Sequence, residues 1–144
     1  MKLNMNKKLE EMINEYIEKG DFIGEVSDDH IKKAERTLEV SFPIEYKDFV
    51  KKYGSGGICG VDINGVEGAD YASVVESTER YRKLGLPNKY IVLESVDEFV
   101  YCLNTLEKYN VVRWDDISKR EVTRYTTFIE YLQDNFQEAI DNLD

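Results

Sequence analysis

Residues 40–58, VSFPIEYKDFVKKYGSGGI, decide the fold of this chain. Pro43 suits the first position of a helix, where its missing N–H is not needed, and Gly54 suits the end, where the backbone turns left-handed. The apolar edge of this predicted helix consists of Ile44, Phe49, Val50 and Tyr53. Lysines near its end face the negative pole of the helix dipole. The segment therefore predicts a helix that the following glycines lead into a sheet.

Four other helices are predicted on either side of this segment. Apolar residues recur at three- and four-residue spacing in residues 5–19 and in a helix that begins after Ser27 and ends near Glu39. Ser27 is the predicted N-cap, because its hydroxyl can accept an N–H of the first turn. Residues 71–83 and 126–143 have the same helical pattern, and the last of these helices has an acidic outer side.

Strand-like sequence fills the middle of the chain. ICGVDINGV (58–66) runs apolar, with Asn64-Gly65 as a candidate tight turn. YIVLES, FVYCLNT and NVVRWD are three β-rich stretches, the first two close enough to form an antiparallel hairpin. The predicted fold class is α+β: a central antiparallel sheet with N-terminal helices and a C-terminal helix packed on it. Residues 1–144 are predicted to form one domain.

Charge is the most informative bulk property. The 144 residues include 29 acidic and 19 basic side chains, a net charge of −10, and residues 94–144 hold 12 of the acids and 5 of the bases. This excess repels phosphate, which argues against direct binding of nucleic acid or an anionic membrane and favours a basic protein partner. No apolar run reaches the roughly 18 residues of a membrane span, and no secretion signal is evident, so a cytoplasmic location is expected.

Residues able to carry chemistry are few, and we expect no catalytic residue, metal or cofactor. His30 is the only histidine and lies in the first turn of a predicted helix. Cys59 and Cys102 fit a reducing compartment as small buried residues, although a disulfide between them stays open. The Gly54–Gly60 cluster follows a helix and precedes a strand, the reverse of a phosphate loop, so nucleotide binding is the weaker alternative.

Several of these segments together resemble one protein family. The stretches 40–50 and 52–58, followed in order by ASVV (72–75), EFVYCLNT (98–105), VVRWD (111–115) and FIEYL (128–132), are similar to the SUKH superfamily of SMI/KNR type. The resemblance covers about residues 28–140 and is nearest to bacterial YobK-type immunity proteins. Asn104 stands where that branch tends to have aspartate.

The resemblance implies an immunity protein that binds and neutralises a cognate polymorphic or LXG-type toxin domain, a basic nuclease being the expected target. The alternative is a non-catalytic regulatory or scaffold module of cell-wall or signalling type. Either would act as a monomer or a homodimer. From the acidic charge and the tyrosine content, the predicted partner-binding residues are Asp97, Glu98, Tyr101, Trp114, Asp115, Asp116, Asp134 and Glu138.

Overall fold

The computed structural model describes residues 7–19, 21–97 and 99–143 of the chain. Its helices are α1 (Lys7–Glu15), a short 3-10 turn (Ile17–Lys19), α2 (Asp28–Leu38), α3 (Ile44–Tyr53), α4 (Ser73–Arg82) and α5 (Phe128–Asp141). Its strands are β1 (Tyr90–Val96), β2 (Phe99–Asn104), β3 (Val111–Asp115) and β4 (Glu121–Tyr125). Within the described part of the chain, no helix combines the length and the apolar character that crossing a membrane requires.

The predicted helices are confirmed with small shifts of their ends. Ser27 caps α2, its Oγ accepting the N–H of His30 at 3.3 Å. Pro43 is the N-cap of α3 and lies one residue outside that helix, and Gly54 ends it. Of the predicted first helix, residues 5 and 6 lie outside the described residues, and the remainder ends in the 3-10 turn.

The strands form one antiparallel sheet in the order β1-β2-β3-β4, which confirms the α+β prediction. Alternate strand residues face two separate cores, because successive side chains point to opposite faces of a sheet. Ile91, Leu93, Leu103 and Val111 pack into the main core with residues of all five α-helices. The smaller core on the other face consists of Leu86, Tyr90, Val92, Val100, Cys102, Val112 and Trp114.

The prediction of a strand and a tight turn within residues 58–66 is wrong. This stretch forms no named strand: Ile63 makes an isolated bridge with Gly56, and Asn64 and Gly65 are in no turn. Asn64 extends the margin of β1 instead: its N–H donates to the carbonyl of Leu93 at 2.8 Å, and its amide Nδ2 donates to that of Val92 at 3.1 Å. The buried Thr78 covers the same margin, its Oγ1 accepting the N–H of Val92 at 2.9 Å.

Glycines let three backbone segments lie in close contact. Residues 53–57 bond to residues 21–24 on one side, as in the donation from the Asp21 N–H to the Gly57 carbonyl at 2.9 Å. They bond to residues 63–66 on the other side. A Cβ on Gly56 would lie 2.0 Å from the carbonyl oxygen of Asp21, and one on Gly65 would lie 1.8 Å from that of Gly54. These glycines are required by packing as well as by turning.

The fourth strand, β4, was not predicted. Glu121, Val122, Thr123 and Arg124 are exposed, and Tyr125 is half-buried. Because neither face of most of this strand is buried, its sequence lacks the alternation that indicates a half-buried strand. It forms through its pairing with β3 at the margin of the sheet.

Candidate protein-interaction surface

Helix α5 presents an uninterrupted row of carboxylates to solvent. The helix carries four acidic and no basic residues, and its opposite face, from Phe128 to Phe136, is buried in the main core. We call Glu130, Asp134, Glu138 and Asp141 the α5 acidic stripe. They recur every three to four residues, which places them on one side of a helix. The sequence predicted this row from its helical period.

The start of the stripe is fixed by hydrogen bonds at the N-terminus of α5. The Oγ1 of Thr127 accepts the N–H of Glu130 at 3.1 Å, while a Glu130 carboxylate oxygen accepts the hydroxyl of Thr126 at 2.6 Å and its N–H at 3.2 Å. The hydrogen bonds from the Thr126 hydroxyl and N–H lower the pKa of Glu130 below its ordinary value. Glu130 is therefore held charged at the beginning of the helix.

Asp134 and Glu138, two predicted contact residues, lie in the middle of the stripe. The Tyr125 hydroxyl donates to Asp134 at 2.6 Å, and burial together with that carboxylate raises the pKa of Tyr125, so the hydroxyl stays a donor at neutral pH. Glu138 is exposed. The two ion pairs among the described residues, Lys47–Glu35 and Lys51–Asp28, lie on α2 and α3. The field of the stripe thus reaches solvent.

Helix α1 lies against α5 and adds to this acidic region. A cleft of about 230 Å³ beside the stripe is lined by Lys8 of α1 and by four residues of α5. Among the described residues that line this cleft, Lys8 is the one basic residue, and Glu130 and Asp134 are the acidic residues. Glu11 and Glu15 follow it along α1 at helical spacing, and both are exposed.

Asp97, Asp115 and Asp116 form a second group at one end of the sheet. The pairing of Phe99 with Asp115 brings the β1–β2 and β3–β4 turns to this end, and Glu98 lies outside the described residues. Asp115 accepts the N–H of Ile117 at 2.9 Å and the hydroxyl of Ser118 at 3.0 Å, which together lower its pKa. Asp115 therefore holds its own turn together, and Lys119 and Arg120 stand beside it.

The two predicted aromatic contacts differ in exposure. Trp114 is 1% exposed and packs edge-on against Tyr81 in the smaller core, with ring centroids 6.4 Å apart. A buried indole offers no area to a partner, so we leave it out of the proposed contact surface. Tyr101 is half-buried and packs against Tyr131 at 5.7 Å.

A half-buried carboxylate that sequence reasoning missed joins α5 to the sheet. The Glu94 carboxylate of β1 accepts the hydroxyl of Tyr131, and the amide of Asn135 donates to it at 2.5 Å. Burial raises the pKa of Glu94, and the charge of Asp62 adds to the effect. An acid inside the apolar stretch YIVLES is the signal that could have identified it.

Replacing Glu94 with glutamine should flatten the dependence of stability on pH. Since the folded-state pKa of Glu94 lies above the ordinary value of 4.5, the native state binds its proton more tightly than the unfolded state. The wild-type protein therefore loses stability as the pH rises from the ordinary pKa of a glutamate through the raised pKa of Glu94. Glutamine keeps an acceptor for Tyr131 and has no charge to bury. Urea unfolding at a series of pH values should show a Glu94→Gln advantage that grows with pH, and equal stability of the two proteins at every pH would contradict this expectation.

Three arrangements bear on catalysis and cofactors. Cys59 and Cys102 are both free thiols, so the disulfide that the sequence allowed between them is not formed. Burial raises the pKa of the Cys102 thiol. In residues 53–57, which we call the glycine segment, the N–H groups of Gly54, Ser55 and Gly56 already donate to backbone carbonyls and cannot cradle a phosphate. Across residues 7–19, 21–97 and 99–143, no three His, Cys, Asp or Glu side chains are grouped as metal ligands.

The sequence that forms these helices and this sheet matches a known protein family. A family model, SUKH_5, with the description SMI1-KNR4 cell-wall, matches residues 5–137. The match extends from α1 through the glycine segment and the sheet to most of α5. The chain belongs to the SMI1-KNR4 family of the SUKH superfamily.

Proposed function

We propose that this protein is a cytoplasmic, non-catalytic immunity protein of the YobK-type branch. It binds and neutralises a cognate polymorphic or LXG-type toxin domain, and the target is a basic nuclease domain. The family membership supports this proposal, because the superfamily includes immunity proteins. The observation that carries it is the α5 acidic stripe, a charged surface on a rigid helix that no cation of α5 offsets.

The mechanism is electrostatic occlusion. A nuclease lines its substrate cleft with lysine and arginine to hold phosphates. Carboxylates on a helix can occupy those cations in place of nucleic acid, and their field accelerates the encounter of the two proteins. Because α5 is anchored by its buried face and by Glu94, the stripe keeps its geometry on binding, which limits the entropy lost.

Charge reversal of the stripe should slow association. We expect Asp134→Lys/Glu138→Lys to reduce the association rate with the cognate toxin domain by about tenfold at low salt, and the deficit to shrink as salt screens the charges. Stopped-flow fluorescence over a series of salt concentrations measures both effects. The matched control is Asp97→Lys/Asp116→Lys, at the end of the sheet, where cations already stand nearby. An unchanged association rate for the α5 variant at every salt concentration would remove the stripe from the mechanism.

The description of the matching family as cell-wall favours a second candidate, a regulatory or scaffold module that recognises a protein of the same cell. Co-expression separates the two functions. An immunity protein restores the growth of cells that produce the toxin domain, and a scaffold module does not.

A further inference from the structure

A cleft of about 170 Å³ opens between the start of α3, the start of α5 and the β2–β3 turn. Its floor includes Leu103 and Phe128, which are buried in the main core. Ile44 and Tyr109 stand at its rim, 60% and 51% exposed. We call it the α3–α5 cleft. Of the apolar edge predicted for α3, Ile44 lies in solvent at the start of the helix, whereas the other three residues are buried.

The rim of the α3–α5 cleft is held rigidly. The Asn104 side chain accepts the N–H of Leu106 and donates to the side chain of Asn110, both at 3.0 Å, which closes the β2–β3 turn. Within this turn, Tyr109 has a φ of 52°, a left-handed conformation that is uncommon for a residue with a large side chain. A turn fixed in this way presents the Tyr109 ring without further ordering on binding.

The cleft adjoins the α5 acidic stripe. Glu45, which lines the cleft, accepts the N–H of Ile129 at 3.2 Å, and Glu130 is the next residue along the chain. From Glu130 the stripe continues for eleven residues to Asp141, about 16 Å at the rise of an α-helix. A mainly apolar cleft, with Glu45 and Lys108 among its lining residues, and a row of negative charge therefore lie side by side. This is the usual anatomy of an interface, with an apolar anchor site and a charged rim.

We propose that the α3–α5 cleft takes up one aromatic or branched aliphatic side chain of a basic protein partner, whose lysines or arginines lie along the α5 acidic stripe. The inference rests on the proposed function and adds the place where the toxin is anchored. The cleft is close in size to the roughly 150 Å³ that accommodates a benzene ring in a protein interior. Charge complementarity selects the partner, and the cleft supplies the desolvated contact that slows dissociation.

Dissociation kinetics with the cognate toxin domain test this inference. Tyr109→Asn removes the ring and keeps a residue that tolerates the left-handed backbone. We expect it and Ile44→Ala each to raise the dissociation rate about tenfold or more, equally at low and high salt. The control is Ile117→Ala, at a residue that is 82% exposed in the β3–β4 turn. If the wild-type complex forms and both cleft variants dissociate at its rate, the cleft inference is overturned while the immunity function stands.

A second measurement needs no toxin, so it decides the cleft inference even if the wild-type protein forms no complex and the proposed function fails. Methyl-labelled protein is titrated with N-acetyl-phenylalanine amide, with N-acetyl-alanine amide as the control probe. We expect NMR shift changes concentrated at Ile44, Leu103 and Thr127 for the aromatic probe alone, and their loss in Tyr109→Asn. Changes spread over other surfaces, or none at millimolar probe, would rule out the cleft as an anchor site.

Discussion

Gly56→Ala should cost this protein about 3 kcal/mol or more of its free energy of unfolding. The alanine Cβ would lie 2.0 Å from the carbonyl oxygen of Asp21. The backbone φ of 108° at this position is also one that residues other than glycine rarely adopt. Relief requires the 21–24 segment to move away, which breaks the backbone hydrogen bonds that tie it to residues 53–57. Against a total stability of roughly 5–15 kcal/mol, such a loss removes between about a fifth and three fifths of the free energy of unfolding.

Urea denaturation followed by circular dichroism measures this loss. Gly65→Ala is a second test, since its Cβ would meet the Gly54 carbonyl oxygen at 1.8 Å. Gly68→Ala is the matched control: no atom lies within 4 Å of its Cβ, and we expect a change within about 0.5 kcal/mol. Equal stability of the Gly56 and Gly68 variants would mean that the three segments are not closely packed.

Trp114→Ala should lower the free energy of unfolding by about 3–5 kcal/mol and leave the intrinsic affinity for a partner unchanged. The indole fills the smaller core, where Tyr81 packs against its ring, and alanine leaves a cavity there. Thermal denaturation measures the loss, and Trp114→Phe should cost less because it fills more of the space. Titration calorimetry with the toxin domain, corrected for the folded fraction, measures the affinity. Wild-type stability combined with lost affinity would restore Trp114 to the contact surface that the sequence predicted.

The parts of the fold that depend on local pattern were predictable. The N-cap at Ser27 and the acidic outer side of α5 follow from residue types at helical spacing, and both are confirmed. The prediction of a strand within residues 58–66 failed because an apolar run does not reveal that its backbone packs against glycines in another segment. The strand β4 was missed because most of its residues are exposed.

The candidate site was only partly predictable for a related reason. Asp134 and Glu138 share one helix, so their spacing alone places them side by side. Contact between Glu45 and Ile129 joins residues 84 positions apart, and the α3–α5 cleft exists only where three elements meet. Glu94 needs Tyr131 and Asn135 from the last helix. Such arrangements depend on tertiary packing, which local spacing does not encode.

The two outer strands of the sheet differ in whether their outer margin is covered, and this difference limits how copies of the protein can associate. The margin of β1 is occupied by Thr78 and Asn64, whereas β4 is exposed along most of its length. Edge-to-edge pairing is a common route to fibrous aggregates, and it requires two open margins on each molecule. Here a strand-to-strand encounter can occur once, through β4, and the resulting pair has no margin left to recruit a third copy. Polymerisation through the sheet is therefore blocked after the first step.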